Sequence, residues 1–332
     1  MLAKFLVVSL LSTFAMAGLV QAQTPASATA VSTPALSGCP SPAIDAQFKE
    51  FGRSGKMPAE LKRWLNDPKA QLMAPYQAFD NVYYVGICWV SAWLIKTSAG
   101  PVLIDTLYEP YTDQLVANLR AIGVEPADLK MVLLTHGHFD HVGGVAKLKS
   151  LSKAKFVMTQ EGWAEAQHDA QQSQGKAGAW SMPAGPDVTV KDGDVLTVGD
   201  TRFYVYTTPG HTWGTASYAL DVKDGNKTYR AMTIGGLGLN AIDGPKQVEA
   251  YIASVDRIKG MVNAAQNPVV VHLTAHPFSN GLTEAKELLK TRKPGDPHPL
   301  VDAAGLNVQL DALRAGAEER LLIEQARSKA AK

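Results

Sequence analysis

The sequence carries almost no net charge, since 32 Lys and Arg residues stand against 31 Asp and Glu residues. Lys4 is the only charged residue among the first 22, so the rest of the chain is neutral overall. It contains no block of basic residues. Because binding to a phosphate backbone requires clustered Lys and Arg, this balance argues against a nucleic-acid partner.

Long apolar runs are also missing, except at residues 5–20, where only three Ser or Thr residues interrupt the run. Lys4 precedes this run, and the small-x-small tripeptide Val20-Gln21-Ala22 follows it. This pattern is typical of a secretory signal peptide, and the run is shorter than the ~20 residues that a membrane-spanning helix needs. We therefore predict a signal peptide at residues 1–22, export to the periplasm or the medium, and no membrane association after cleavage. The alternative is an N-terminal membrane anchor.

Cysteine is scarce as well, with only Cys39 and Cys88 in the chain. An even number of cysteines in an exported protein favours a disulfide, which here would close a loop of roughly 50 residues and add a few kcal/mol of stability. The alternative is two unrelated thiols.

Residues 23–38 contain no charge and are rich in Ala, Ser, Thr and Pro, so they are predicted to form a flexible leader.

Beyond residue 81, short β-rich runs alternate with segments of helical periodicity. Strands are predicted at residues 82–85, 91–96, 101–104, 130–134, 156–158, 195–198, 203–207, 216–220 and 268–273. Helices are predicted at residues 111–122, 145–151, 160–172, 248–261 and 306–330. Because strands and helices are interspersed in both halves, we expect two sheets packed face to face with helices outside.

The most informative segment for chemistry is THGHFDHVGG at residues 135–144, directly after an apolar strand. It places four potential metal ligands within six residues: His136, His138, Asp140 and His141. A loop leaving a strand can present His136 and His138 to one ion, while the next two turn toward a neighbouring position. Imidazole together with carboxylate suits Zn²⁺ better than Ca²⁺ or Mg²⁺. The alternative is a polar loop with solvated histidines.

Two further histidines stand beside turn residues at predicted strand ends, His211 in Thr-Pro-Gly-His-Thr and His276 in Leu-Thr-Ala-His-Pro. Loops that leave strands commonly present ligands, so these two can complete two sites of three protein ligands each. His272 is a rival to His276, but its position within a strand favours a packed residue. His168 and His298 lack such a context and are not predicted ligands.

These segments together resemble the metallo-β-lactamase superfamily, and more narrowly the metallo-β-lactamases of the third subclass (class B, subclass 3). Residues 79–92 are similar to the first strands of that subclass, and residues 118–128 to its first helix and the following turn. The likeness runs from about Cys39 to the C-terminal helix. It therefore implies a single hydrolase domain at residues 39–332.

The resemblance implies an αββα sandwich, in which two mixed β-sheets are flanked by helices and two zinc ions lie at one edge. The implied first site is His136, His138 and His211, and the second is Asp140, His141 and His276. Hydroxide held by the zinc pair would open the β-lactam amide, with Asp140 orienting it. The implied protein is a monomeric β-lactamase that acts on a small molecule and confers antibiotic resistance.

Two departures from the family pattern bear on the substrate. Gly235 and Gly236 stand where many members carry a metal-bridging carboxylate and where third-subclass enzymes carry a serine hydroxyl. Trp213 stands where the family commonly has proline. The alternatives are therefore a zinc hydrolase of another ester, lactone or amide, or an inactive zinc-dependent binding protein. Because the hydroxyl is missing, we expect the second zinc to bind more weakly than the first. Gly236→Ser should strengthen it, provided that the backbone there does not require a positive φ, a conformation that paired glycines often mark.

Overall fold

A computed structural model of the chain describes residue 36, residues 38–54 and residues 56–330. The predicted signal peptide and residues 23–35 of the predicted leader lie outside the described residues. The helices are α1 Ser41–Ser54, α2 Ala59–Leu65, α3 Pro68–Gln71, α4 Tyr111–Ala121, α5 Phe139–Val142, α6 Val145–Leu151, α7 Gln160–Ser173, α8 Pro245–Val262, α9 Leu282–Thr291 and α10 Ala303–Ala330. Two 3₁₀ turns occupy Pro126–Asp128 and Pro277–Ser279.

The strands form two sheets. They are β1 Tyr76–Phe79, β2 Val82–Tyr84, β3 Trp93–Ile95, β4 Val102–Ile104, β5 Met131–Leu133, β6 Lys155–Met158, β7 Val188–Thr189, β8 Val195–Val198, β9 Thr201–Thr207, β10 Ala216–Asp224, β11 Lys227–Thr233 and β12 Val269–His272. The first sheet has the order β1-β2-β3-β4-β5-β6-β7 and the second the order β12-β11-β10-β9-β8. In the first sheet, β1 to β4 pair antiparallel and β4 to β7 pair parallel. In the second, only β11 and β12 pair parallel. Both sheets are therefore mixed, as predicted.

Alternating side chains of each strand enter different hydrophobic layers. Val102 and Ile104 of β4 face the core between the sheets, whereas Leu103 packs in the layer with α4, α6 and α7. In the second sheet, Tyr218 faces the central core and Ala219 faces α8 and α10. This alternation arises because successive side chains of a β-strand point to opposite faces of the sheet. The resulting order of helices, sheet, sheet, helices confirms the predicted αββα architecture.

The predicted disulfide is present between Cys39 and Cys88, which are 49 positions apart in the sequence. It joins the segment before α1 to the loop between β2 and β3. Helix α1 also packs through Phe48, whose ring stacks on Phe278 at 4.6 Å between centroids. Among the described residues, no helix combines the length and the apolar character needed to cross a membrane.

Candidate metal centre

Three imidazoles converge where the loops after β5 and β9 meet. The facing nitrogens are Nε2 of His136, Nδ1 of His138 and Nε2 of His211, and the three distances between them are 2.9, 3.2 and 3.2 Å. Zinc–nitrogen bonds of ~2.0–2.1 Å in a tetrahedral site place ligand nitrogens about 3.3 Å apart. The triangle therefore has the dimensions of one face of a zinc tetrahedron.

The outer nitrogens of two of these rings have acceptors that fix the tautomer. Nδ1 of His211 donates to the carbonyl oxygen of Gly238 at 2.6 Å. The hydroxyl of Thr135 donates to Asp105 at 2.9 Å, so its oxygen accepts from Nδ1 of His136 at 3.0 Å. Each ring then carries its proton on the outer nitrogen and turns a lone pair to the shared centre, as a metal ligand must.

A second triangle, beside the first, contains a carboxylate. Nε2 of His141 lies 3.4 Å from Nε2 of His276 and 3.3 Å from Oδ2 of Asp140, and the remaining side is 3.8 Å. The outer nitrogens again donate, His141 to Asp105 at 2.8 Å and His276 to the carbonyl oxygen of Trp89 at 2.8 Å. The six donors thus form two groups, and both have the geometry to hold a metal ion.

The two triangles are both buried, but carboxylates in and beside the second make them differ electrostatically. Burial dominates in the first. It holds the pKa of His136 well below its usual value and lowers the pKa of His211 to about 3, so the first triangle is neutral at pH 7. Burial also disfavours a charge on His141, but the carboxylates of Asp140 and Asp105 outweigh it and raise the pKa of His141 to about 10. Burial favours the neutral form of Asp140, yet His141 and His276 hold the pKa of that carboxyl well below its usual range.

Asp105 is a functional residue that the sequence analysis missed. It directly follows β4, is buried, and adopts a left-handed backbone conformation with φ of 62°. Its carboxylate accepts from the backbone N–H and the hydroxyl of Thr135, both at 2.9 Å, as well as from His141. The only indication in the sequence was an aspartate at the end of the apolar strand β4. In the sheet, β4 lies beside β5.

The turn that carries His211 is held by a carboxylate from α7. Glu165 accepts from the backbone N–H of Trp213 at 2.8 Å and from that of Gly214 at 3.1 Å. Proline has no N–H and could not make the first bond. This contact gives a structural reason for the departure from proline at position 213.

The condition attached to Gly236→Ser is not met, so a serine at position 236 is not expected to help the second site. Gly236 has φ of 75°, and a Cβ built there would lie 2.2 Å from Cδ2 of His211. A Cβ at Gly235 would lie 2.1 Å from the carbonyl oxygen of Ala216. The two glycines let the backbone pass directly against the first triangle, and this close approach excludes any side chain there.

The other histidines lie outside both triangles. His298 stacks on Phe79, and both of its ring nitrogens are hydrogen-bonded to backbone groups. His272 is buried at the end of β12 and bonds Gln309 of α10 instead of entering the second triangle. The preference for His276 over His272 therefore agrees with the geometry.

A groove of about 2060 Å³ gives access to both triangles, and it is lined by His138, Asp140, His211 and His276 among others. Aromatic rings form its wall next to the second triangle. The ring of Phe139 is 43% exposed and lies 5.0 Å from that of Tyr108 and 6.1 Å from that of Trp89. The groove exceeds the ~300–1,000 Å³ of a typical small-molecule pocket, and side chains of both triangles line it, so a small molecule can reach both clusters.

Comparison with known proteins agrees with this fold and site. A family model of the metallo-β-lactamase superfamily matches residues 85–224. The structure is similar to BJP-1, a subclass B3 metallo-β-lactamase of Bradyrhizobium japonicum, with 28% identity, a TM-score of 0.68, and coverage of 77% of this chain and 97% of that one. It is also similar to native FEZ-1 from Legionella gormanii, with 25% identity, a TM-score of 0.69, and coverage of 77% and 98%.

The curated relatives match a shorter part of the chain. A hydroxyacylglutathione hydrolase of Rhodopseudomonas palustris is 33% identical over 124 residues, which are 37% of this chain and 41% of that protein. The chain thus spans about two fifths of the length of these curated relatives.

The fold, the histidine-rich metal site and these likenesses agree on one class: over residues 85–224 the chain matches the metallo-β-lactamase superfamily of metal-dependent hydrolases, and its fold is similar to members of that superfamily. Within that superfamily, its structural likeness is to the subclass B3 metallo-β-lactamases.

Proposed function

We propose that this protein hydrolyses the amide bond of β-lactams with two zinc ions. His136, His138 and His211 would hold the first ion, and Asp140, His141 and His276 the second. The supporting observation is the pair of donor triangles, with sides of 2.9–3.8 Å, on a fold that covers nearly all of the subclass B3 structures.

The bound zinc ions would supply a water activated at neutral pH and a positive charge for the departing lactam nitrogen. The chain's own residues set the geometry. Asp140 presents Oδ2 to the second triangle, and its carboxylate would orient the attacking water. Asp105 and the Trp89 carbonyl hold His141 and His276 in the tautomer that binds metal. The aromatic wall of Trp89, Tyr108 and Phe139 excludes bulk water from one side of the substrate.

Gly235 and Gly236 favour a lactam over a thioester as substrate. Glyoxalase-type members of the superfamily carry a carboxylate between the two metals at the matching position. Here that position is Gly235, where a Cβ would lie 2.1 Å from the carbonyl oxygen of Ala216, which leaves no room for one. Among the described residues, the carboxylate grouped with these histidines is Asp140.

Hydrolysis of hydroxyacylglutathione thioesters is the second candidate, favoured by the similarity to hydroxyacylglutathione hydrolases. One assay distinguishes the two candidate functions. Zinc-loaded protein is offered nitrocefin, a carbapenem and a hydroxyacylglutathione thioester at equal concentration. We expect turnover of a β-lactam that ceases with a chelator. Thioester hydrolysis without lactam turnover would favour the second candidate, and zinc binding without any turnover would favour a binding protein.

His168 provides a matched control for this assay because it lies on α7 outside both triangles. His211→Ala should abolish lactam hydrolysis, while His168→Ala should keep the activity of the unaltered protein. Equal activity of both variants would contradict the ligand assignment.

We also propose that the protein is exported and acts as a monomer. The disulfide between Cys39 and Cys88 supports export, since disulfides persist in oxidising compartments. Cell fractionation with N-terminal sequencing should find the mature chain in the periplasm or medium, beginning at Gln23. Gel filtration with light scattering should give the mass of one chain. A cytoplasmic protein with an intact N-terminus would contradict export.

A further inference from the structure

Each donor triangle takes two ligands from the segment after β5, which comprises the loop with His136 and His138 and then α5, and the third from the second half of the chain, His211 or His276. Side chains of α10 hydrogen-bond the turn that follows His276 and the loop whose Gly238 carbonyl accepts from His211. We propose that Gln309 and Arg320 of α10 are positioning residues, Gln309 for the second metal site and Arg320 for the first. This inference rests on the proposed function for the assignment of the metal ligands.

The connection to the second site runs through the 3₁₀ turn after His276. Nε2 of Gln309 donates to the carbonyl oxygen of Ser279 at 2.9 Å. The backbone N–H of Ser279 in turn donates to the carbonyl oxygen of His276 at 3.0 Å. The Ser279 hydroxyl is 2.7 Å from that of Thr274, whose oxygen accepts from the backbone N–H of His276 at 3.2 Å. Gln309 therefore stabilises the turn whose hydrogen bonds fix the backbone of His276.

The orientation of the Gln309 amide is determined at both ends. Because its nitrogen donates to Ser279, its oxygen faces His272 and accepts from Nδ1 of that ring at 3.0 Å. Burial lowers the pKa of His272 to about 4, so the ring is neutral, with its proton on Nδ1. A reversed amide would place its oxygen against the Ser279 carbonyl and lose that bond. His272 thus acts on the second site indirectly, by fixing Gln309.

The connection to the first site runs through the loop that accepts from His211. Nη1 of Arg320 donates to the carbonyl oxygen of Leu239 at 3.1 Å, and the carbonyl of the preceding residue, Gly238, accepts from His211 at 2.6 Å. Arg320 therefore holds the peptide next to the one that orients the His211 ring.

A buried carboxylate fixes the Arg320 guanidinium. Glu324 is 6% exposed and accepts from Nε of Arg320 at 2.7 Å and from Arg327 at 2.8 Å. Leu310, Ala317 and Glu324 are buried at seven-residue intervals along α10. An apolar residue at position 324 would pack there without the desolvation cost of a carboxylate. The role of this buried carboxylate is to hold the Arg320 guanidinium in the direction of Leu239.

Gln309 and Arg320 are eleven residues apart on one helix, a distance of about 16 Å along its axis. One rigid element thus contacts both sites at separate points. Removing one contact should affect the nearer site alone. Because outer partners of metal ligands change metal affinity by ~10–100-fold, and these two act through one further hydrogen bond, we expect losses of about tenfold.

The test measures the zinc affinity of each site by titration calorimetry, with cobalt spectra to identify which site fills. Gln309→Leu should weaken the second site about tenfold and leave the first unchanged, whereas Arg320→Met should do the reverse. The same helix offers matched controls. Asn307 bonds Asn263 and the helix backbone, and Arg314 bonds Asp256 and Glu318, so Asn307→Leu and Arg314→Met should change neither affinity.

Circular dichroism checks that each variant is folded, and Gln309→Met and Arg320→Lys replace any variant that is not. Equal loss at both sites, no loss at either, or the same loss in the controls would overturn the positioning roles while leaving the proposed function intact. Failure of the unaltered protein to bind two ions would overturn both.

Discussion

The carboxylate of Asp105 accepts a hydrogen bond of 2.8 Å from Nδ1 of His141, and both side chains are almost fully buried. The same carboxylate bonds the hydroxyl of Thr135, whose oxygen accepts from His136. One buried aspartate therefore orients a ligand in each donor triangle, directly in the second and through Thr135 in the first.

Asp105→Asn should weaken the second metal site more than the first. The amide keeps the shape but loses the charge that favours the donating tautomer of His141, so we expect a loss of about 10–100-fold in second-site affinity. Zinc titration by calorimetry measures this. Asp113→Asn, at an exposed residue of α4, is the control and should bind like the unaltered protein. An equal loss at both sites would contradict the direct role at His141.

Metal binding should release a proton at the second site and almost none at the first. The pKa of His141 is raised to about 10, so at pH 7 metal must displace its proton, whereas the pKa values of His136 and His211 are lowered and these rings are already neutral. Second-site affinity should therefore rise about tenfold per pH unit between pH 6 and 9. Calorimetry in buffers of different ionisation enthalpy counts the protons. Equal release at both sites would be the contrary result.

Gly236→Ser should destabilise the protein and disrupt the first site. The left-handed backbone costs a non-glycine residue about 1–3 kcal/mol, and the new Cβ would strike the His211 ring. Gly193→Ser is the matched control, because Gly193 has a similar φ of 81° but nothing within 4 Å of its Cβ position. Thermal denaturation and zinc titration should show a greater loss for Gly236→Ser. Equal losses would mean that the contact with His211 is unimportant.

Trp213→Pro should loosen the turn that carries His211. It removes the N–H that donates to Glu165 at 2.8 Å, a bond to a charged acceptor worth about 1.5–3 kcal/mol. Trp213→Phe keeps that N–H and serves as the control. We expect first-site zinc affinity to fall only in the proline variant. A loss in both variants would assign the effect to the indole ring.

The local part of the site was predictable from the sequence, and the long-range part was not. His136, His138, Asp140 and His141 lie within six residues after a strand, so their spacing alone indicates a metal site. His211 and His276 were predicted from turn residues beside strand ends. Asp105 and Glu165 carry no motif, because their roles depend on strand and helix neighbours distant in sequence. The contacts of α10 with Ser279 and Leu239 are equally nonlocal.

The prediction of the fold shows the same difference between local and long-range features. The predicted helices at residues 111–122 and 160–172 match α4 and α7 within a residue, because their apolar spacing is determined locally. At Gly236, the paired glycines allowed for a positive φ, which the structure has, but the sequence does not show the ring that the backbone touches. Paired glycines allow such an approach, but only the fold determines which side chain is approached.

The central claim, that two zinc ions on these six residues support β-lactam hydrolysis, is tested most directly by adding zinc stepwise to metal-free protein while following nitrocefin. We predict no hydrolysis without zinc and full activity at two equivalents, with His211→Ala inactive throughout. Undiminished nitrocefin hydrolysis by the zinc-free protein would contradict the account.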